Sequence, residues 1–394
     1  GQLTQVNGGA HGLHDAVRAG LVGSVLNEVH IHEVNELQRL ALEESRLGIP
    51  LLIGRDVIHG FKTIFPIPLG QAASWDPESV QRAAAVAATE AASSGVNWTF
   101  APMIDITRDP RWGRIAESLG EDPYLCSQLG AAMVRGFQGA NLADANSIAA
   151  CAKHFAGYGA VEGGMDYSAA NIPEIELRNV YLPPFKAAAD AGVATFMASF
   201  SDLNGVPASG NEFLMRQVLR DEWGFDGFVV SDWESIKELT VHGFTANDTD
   251  AACAAASAGI DMEMASTLYR DHLPGLLESG KCSEAQIDTM VCNILWVKFE
   301  LGLFERSYTD PLKFPRMAND KHLQLARDAA TRSCVLLKND HQVLPLVRDQ
   351  LDSVAVIGPL ADDGYEQLGT WVFDGESRHS QTCLQAIYQR AGDT

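Results

Sequence analysis

Four apolar runs in this sequence stop on residues able to do chemistry. "LLIG" ends on Arg55 and Asp56, with His59 close behind, and "FAPMID" leads into "ITRDPRWGR", which carries Arg111 and Arg114. "SIAACA" ends on Lys153 and His154, and "FVVS" ends on Asp232 and Trp233. Each has a plain structural reading: Asp56 as a loop cap, Arg111 and Arg114 paired with the acids of "AESLGED", His154 as a satisfied core imidazole, Trp233 as rim packing. Buried polar groups usually exist to be hydrogen-bonded, so any one of them alone favours that reading. Four strands ending this way at one place are different, because the desolvation costs accumulate unless a polar ligand offsets them.

The residue types restrict that ligand. The sequence has no HExxH, no paired histidines and no EF-type acid run, so neither a metal nor another cofactor is expected. Phosphate would call for a glycine-rich loop at a helix N-terminus, whereas acids gather here. A neutral polyhydroxyl ligand suits the mixture: carboxylates accept its hydroxyls, Lys, Arg and His donate to them, and an indole offers its ring face. A carboxylate fixed at a strand end beside a tryptophan, as in "GFDGFVVSDW", is placed to attack an anomeric carbon.

Such residues need a scaffold that brings strand ends together. Short β-rich runs recur at "VGSVLN", "IPLLIG", "NWTFAPM", "SIAACAKHF", "VATFMASF", "GFVVSD" and "GIDMEM", with helix-period segments between them. Residues 33–47 predict a helix with Val34, Leu37 and Ala41 on one face, Gly48 as its stop and Pro50 beyond. Asp76 and Pro77 predict the N-cap and first position of an alanine-rich helix. Apolar strands alternating with helices imply a parallel sheet covered on both faces, and this number of units in roughly 300 residues predicts an α/β (β/α)8 TIM-like barrel. The doubly wound open sheet is the rival, but no glycine-rich dinucleotide fingerprint follows the first strand.

The opening "GQLTQVNGGAHG" is abrupt, so an incomplete first barrel element is expected. The barrel is assigned to residues 1–305. Pro311 and Pro315 mark a linker over 306–325, and 326–394 begins an α/β sandwich domain with a helix at "LQLARDAATRSC" and a strand at "DSVAVIG". That stretch is shorter than the roughly 100–150 residues of a typical domain, so the domain is expected to be incomplete.

Composition excludes some partners. A formal charge of −22, from 51 acids against 29 bases, repels a phosphate backbone, so nucleic acid is not expected. No run approaches the roughly 18 apolar residues of a membrane span, so insertion is not expected. Seven dispersed cysteines without a CxxC are expected as core residues, not as a disulfide or zinc framework. No signal-like segment is present.

The stretches "RDPRWGRIAESLGEDPYL", "ACAKHFAGYGAVEGGMDY", "MASFSDLNGVPAS" and "LRDEWGFDGFVVSDW", in order and at coherent spacing, resemble glycoside hydrolase family 3, in particular its bacterial periplasmic β-glucosidases. The resemblance runs from about Gln2 to the segment near Trp371. It implies a barrel followed by an α/β sandwich, retaining exo-hydrolysis of β-glucosides, and a periplasmic or secreted location. It implies Asp232 as nucleophile, with Asp56, Arg114, Lys153 and His154 as sugar-binding residues and Met197 lining the same subsite. Phe200 stands where a tyrosine is frequent, and Trp233 would be the neighbouring aromatic wall. The acid/base glutamate is expected from the second domain beyond this chain, because Glu376 lies too early. The family's β-N-acetylglucosaminidase branch, which uses a His–Asp dyad after "KHF", is rejected because Tyr167 and not a histidine follows Asp166. Remaining alternatives are a β-xylosidase, a sugar-binding protein without turnover, and a barrel lyase or aldolase with Lys153 as Schiff base. An exposed element of the second domain would be a natural surface for a homodimer.

Overall fold

Each apolar run becomes a parallel strand, and the strands close on one another in a computed structural model that describes residues 1–392. The strands are β1 (Thr4–Asn7), β2 (Ser24–Leu26), β3 (Leu52–Arg55), β4 (Trp98–Thr99), β5 (Cys151–Phe155), β6 (Thr195–Ala198), β7 (Phe228–Trp233) and β8 (Met262–Met264). The hydrogen-bonded order is β4-β3-β2-β1-β8-β7-β6-β5 with every pairing parallel. Parallel bridges Trp98↔Ala149 and Met103↔Lys153 join the two ends, so the sheet is the expected (β/α)8 barrel. β1 corrects one expectation. The opening residues form a strand that pairs with both β2 and β8, so the first barrel strand is in place. Its polar residues hid it: Thr4 and Gln5 are buried, and their side chains bond Glu263 and Ser24 of β8 and β2.

Strands covered on both sides read as continuous apolar runs because one side faces the barrel interior and the other the helices. Trp98 of β4 stacks edge-on with Phe228 of β7 at 5.1 Å and donates to Thr195 Oγ1 of β6 at 2.9 Å. These contacts between non-adjacent strands put the indole inside the barrel. Its truncation to alanine would cost about 3–5 kcal/mol.

The helix Pro77–Ser93 starts as expected, with Asp76 accepting from Ser79 N at 3.0 Å and Pro77 in its first turn. The helix predicted over 33–47 buries Val34, Leu37 and Ala41 as expected but runs Ile31–Arg39 and ends in a wider turn at Leu40–Glu44. Extended Ser45 stops it. Gly48, at φ +59°, instead makes the left-handed turn before Pro50, so it is not the helix stop.

One glutamine and two backbone carbonyls close the lower end of the barrel around Lys298 on the helix Glu284–Glu300. Its Nζ donates to Gln2 Oε1, Gly23 O and Pro50 O at 2.6, 2.8 and 2.7 Å. Beyond the barrel, helix Asp320–Arg332 is capped by Asn319 and anchored through Glu90. That buried carboxylate accepts from the backbone N–H groups of Lys62, Thr63 and Ala318 and meets His322 Nδ1 at 2.7 Å.

Two further expectations are corrected. "DSVAVIG" forms no strand and pairs with none among the described residues, and Val354 and Ile357 are exposed; without a neighbour its backbone has no ladder to join. The cysteines are all free, yet only Cys126, Cys151 and Cys282 are buried, whereas Cys292, Cys334 and Cys383 are exposed. Cys292 and Cys383 are on the outer faces of helices, where apolar surroundings in sequence do not mean burial. No described helix is long and apolar enough to cross a membrane.

Candidate active site

β7 explains why its apolar run ends on a carboxylate. Phe228 to Asp232 are buried in the barrel wall, whereas Trp233 is 43% exposed and Glu234 turns away with φ +52°. The strand therefore delivers Asp232 at its C-terminal end, where the chemistry of such barrels is placed. Asp232 Oδ1 accepts from the N–H of Trp233 at 2.7 Å. Its Oδ2 is buried with no hydrogen-bond partner and lies 3.5 Å from His154 Nε2. Burial pushes the Asp232 carboxyl up to about 7, against the downward pull of the Arg114 and Lys153 charges.

β5 delivers the next two residues. Lys153 Nζ donates to Asp56 Oδ1 at 2.9 Å, and Asp56 follows directly on β3. His154 is held on its other side by Asp105, whose Oδ2 lies 2.8 Å from Nδ1 and accepts the His154 backbone N–H at 2.9 Å. Burial, with Arg114 and Lys153 nearby, drives the His154 pKa well below its ordinary value. Burial likewise raises Asp105 to about 7, while the His154 backbone N–H opposes the shift. The neutral imidazole that results donates from Nδ1 to Asp105 and turns Nε2 toward Asp232.

Arg114 comes from the short helical turn Gly113–Glu117 and forms a fork with buried Glu117 at 2.7 and 3.1 Å. The guanidinium lies 5.7 Å from the Tyr158 ring and 5.4 Å from that of Trp371. Its pairing with an acid of "AESLGED" is the anticipated structural contact, and the same contact aims the group toward Asp232, whose charge it feels. Arg111 differs. It is exposed and pairs with Asp109 at 2.6 Å, not with that acidic stretch, so it is not drawn into the site. Met197 is buried on β6, and Phe200 packs with Met103, Trp112, Tyr158 and Val161. The Phe200 ring is 6.5 Å from His154 and 4.6 Å from Tyr167. His59 is structural: its ring nitrogens face Phe65 O at 2.8 Å and Thr370 O at 2.5 Å.

Asp56, Arg114, Lys153, His154 and Asp232 thus form one linked cluster, with Trp233 exposed at its edge. Sequence reading missed Asp105, Glu117 and Trp371. Asp105 had a signal, since "FAPMID" is an apolar run stopping on an acid like "FVVSD", and Glu117 stands three residues after Arg114. Trp371 had none beyond its type. Its ring reaches Lys153 Nζ at 5.4 Å from a segment more than 200 residues away in sequence. Among the described residues, no group of three or more His, Cys, Asp or Glu could hold a metal. The cluster offers instead a carboxylate with one free oxygen, flanked by donors and acceptors suited to hydroxyls.

Residues 1–297 match the glycosyl hydrolase family 3 N terminal domain, and residues 334–393 match the glycosyl hydrolase family 3 C-terminal domain. The chain is 42% identical over 404 aligned residues to a periplasmic beta-glucosidase of Salmonella typhimurium, covering 100% of this chain and 52% of that protein. It is 35% identical to a beta-xylosidase of Formosa agariphila, covering 94% of this chain and 55% of that one. Among solved structures, a beta-glucosidase from Listeria innocua in complex with glucose superposes with a TM-score of 0.93 at 40% identity, over 98% of this chain and 56% of its own. The chain spans about half the length of the curated relatives it matches.

Proposed function

This chain belongs to glycoside hydrolase family 3, and on that premise we propose that it is a retaining, exo-acting β-glucosidase that removes terminal non-reducing β-D-glucosyl residues from oligosaccharides. The observation that carries this reading is Asp232 Oδ2, a buried carboxylate oxygen without a partner at the C-terminal end of a barrel strand. In the proposed reaction Oδ2 bonds to the anomeric carbon as the glycosidic C–O bond breaks, and the departing oxygen takes a proton. Water then attacks the same carbon and gives its proton to the group that protonated the departing oxygen, the C1–O bond to Asp232 breaks, and glucose leaves with its configuration retained. Asp56 binds outer hydroxyls, while Arg114, Lys153 and His154 hold the ring, and the two cations Arg114 and Lys153 complement charge beside the nucleophile. Met197 and Phe200 line the pocket and Trp233 forms its aromatic edge.

A retaining enzyme needs a second carboxyl about 5–5.5 Å from the first. Asp56 and Asp105 are engaged by Lys153 and His154. Glu376 is held low by its hydrogen bond from Lys62, the opposite of what a general acid needs. None of these suits the acid role, and we assign that role to a glutamate outside the described residues. Lys153 is also poorly suited to Schiff-base chemistry, which requires a free amine, because its Nζ is held in the ion pair with Asp56.

We read residues 1–305 as the catalytic barrel, 306–325 as linker and 326–394 as the first part of the second domain. A periplasmic location is proposed from the name of the Salmonella relative. The test is peptide mass spectrometry after incubation with 2,4-dinitrophenyl 2-deoxy-2-fluoro-β-glucoside, whose leaving group departs without proton assistance. The expected result is one fluoroglucosyl adduct, on Asp232. An adduct elsewhere would remove Asp232 as the nucleophile, and none on folded protein that still binds glucose would replace this reading with sugar binding without turnover. Faster labelling by the matching xyloside would favour the β-xylosidase reading, which the 35% identical relative motivates.

A further inference from the structure

The segment Gly369–Glu376 lies far from the barrel in sequence yet rests on the loop that follows β3. Asp374 accepts from Arg55 Nε at 2.8 Å, and these side chains are 10% and 11% exposed. The Arg55 guanidinium also donates to Asn27 Oδ1 at 2.9 Å and lies 4.8 Å from the centroid of the Phe373 ring. Next to Phe373 in the segment, Trp371 sits with its ring 5.4 Å from Arg114 Cζ and 5.4 Å from Lys153 Nζ. The approach is close enough to require glycine. A Cβ on Gly369, at φ +88°, would meet Ile67 Cγ2 at 2.8 Å, and one on Gly375 would meet Ile64 Cγ1 at 2.8 Å. Trp371 itself is held at φ +57°, a left-handed conformation that a bulky side chain adopts only when its surroundings impose it.

Of the ionic contacts along this segment, one is enclosed and two, both at Glu376, are not. Lys62 and Glu376 meet at 3.1 Å with about a third of each side chain exposed, the kind of pair that solvent screens to little effect. Arg55 and Asp374 are mostly withdrawn from water. There the loss of one partner leaves the other charge buried and uncompensated, so the pair specifies position strongly. Arg55 also immediately precedes Asp56, the acceptor of Lys153. One end of the ion pair is therefore built into the strand that carries a site residue, and the other into the segment that covers the site's cations.

We propose that Arg55 and Asp374 are positioning residues for the active site: their ion pair seats Gly369–Glu376 so that Trp371 covers Lys153 and Arg114 and screens both cations from water. Screening strengthens the hydrogen bonds those cations make to a bound polyol, because charge interactions grow as water is excluded. The pair touches neither substrate nor nucleophile. Its effect belongs in ligand affinity and not in the bond-making step. This role rests on the sugar site proposed above.

The test uses the whole chain and two readouts. Hydrogen exchange of residues 369–376 reports seating, and calorimetric binding of isofagomine, a ligand of the Listeria relative in a solved structure, reports the site. Asp374→Ala is expected to speed exchange of the segment about tenfold or more and to weaken isofagomine about tenfold. The rate constant for covalent labelling at saturating fluoroglucoside is expected to stay within about threefold. Asp374→Glu, which keeps the charge, is expected to recover most of the affinity, and Asp374→Asn serves if the alanine variant unfolds. Glu376→Ala is expected to change affinity less than about twofold. Unchanged exchange in the Asp374 variants would overturn the seating claim, and faster exchange with unchanged affinity would reduce the pair to a structural contact. A parent protein that binds no isofagomine would remove the sugar site and this role with it, a failure distinct from unchanged affinity in a variant of a binding parent.

Discussion

Lys298 and Lys153 are both buried, at opposite ends of one barrel. Lys298 matches three ammonium protons to three neutral acceptors near the starts of β1, β2 and β3. Burial pushes its pKa down to about 7, while the three acceptors favour keeping all three protons on the nitrogen. Lys153, at the C-terminal end of β5, donates to one acceptor, Asp56, and lies 5.4 Å from the Trp371 ring. Burial alone therefore does not mark function. What distinguishes the upper lysine is unused hydrogen-bonding capacity beside an equally unused carboxylate oxygen on Asp232.

The comparison can be broken first at Asp232. Asp232→Asn is expected to abolish the covalent adduct and lower hydrolysis by about 10³-fold or more, measured with an activated glucoside. The same change is expected to raise stability at pH 8. The carboxyl, raised to about 7 by burial, has its full stability below about pH 4, loses it progressively as pH rises from about 4 to 7, and levels off above that. The asparagine variant should exceed the parent by up to ~4 kcal/mol at pH 8, with the difference vanishing near pH 3.5 in denaturant titrations.

The two lysines should then separate cleanly. Lys153→Met is expected to lower kcat/KM about 10²-fold in the molecules that fold, and also to lower the urea midpoint because Asp56 loses its partner. Lys298→Met is expected to destabilise by about 3 kcal/mol or more, because three buried acceptors lose their donor, while each folded molecule keeps its activity. If Lys298→Met lost activity without losing stability, the contrast between the two ends would fail.

The remaining effects are smaller. The rate of fluoroglucoside labelling should fall about tenfold per unit as pH drops below about 7, since Asp232 attacks only when ionised. A flat profile down to pH 5 would show that Arg114 and Lys153 outweigh burial at the nucleophile. Glu376→Gln should change kcat/KM less than about twofold. A larger loss would bring that carboxylate back as the missing acid.

Part of the site was legible because strand ends leave a local mark. Asp56, Lys153, His154 and Asp232 each follow an apolar run directly, so sequence adjacency reports the geometry. Asp105 bears the same mark in "FAPMID", but its partner is a histidine 49 residues away, and only closure of β4 against β5 brings them together. β1 escaped notice because its buried residues are polar and paired with the adjacent strands β8 and β2. "DSVAVIG" misled in the opposite sense, since its alternating apolar residues describe a strand that has no partner among the described residues.

Alternation of short apolar runs with capped helices is enough to specify a parallel barrel, because period and caps are local properties of the chain. The acids and bases at the run ends follow from the same local reading, and so does the chemistry they suit. The pairings are another matter. That Asp105 orients His154, that Glu117 holds Arg114 toward Asp232, and that Trp371 and Asp374 come back over the mouth depends on contacts between distant segments. Those contacts also set ionisation, because the dominant influence on Asp105 and Asp232 is burial, which exists only once the chain around them has folded.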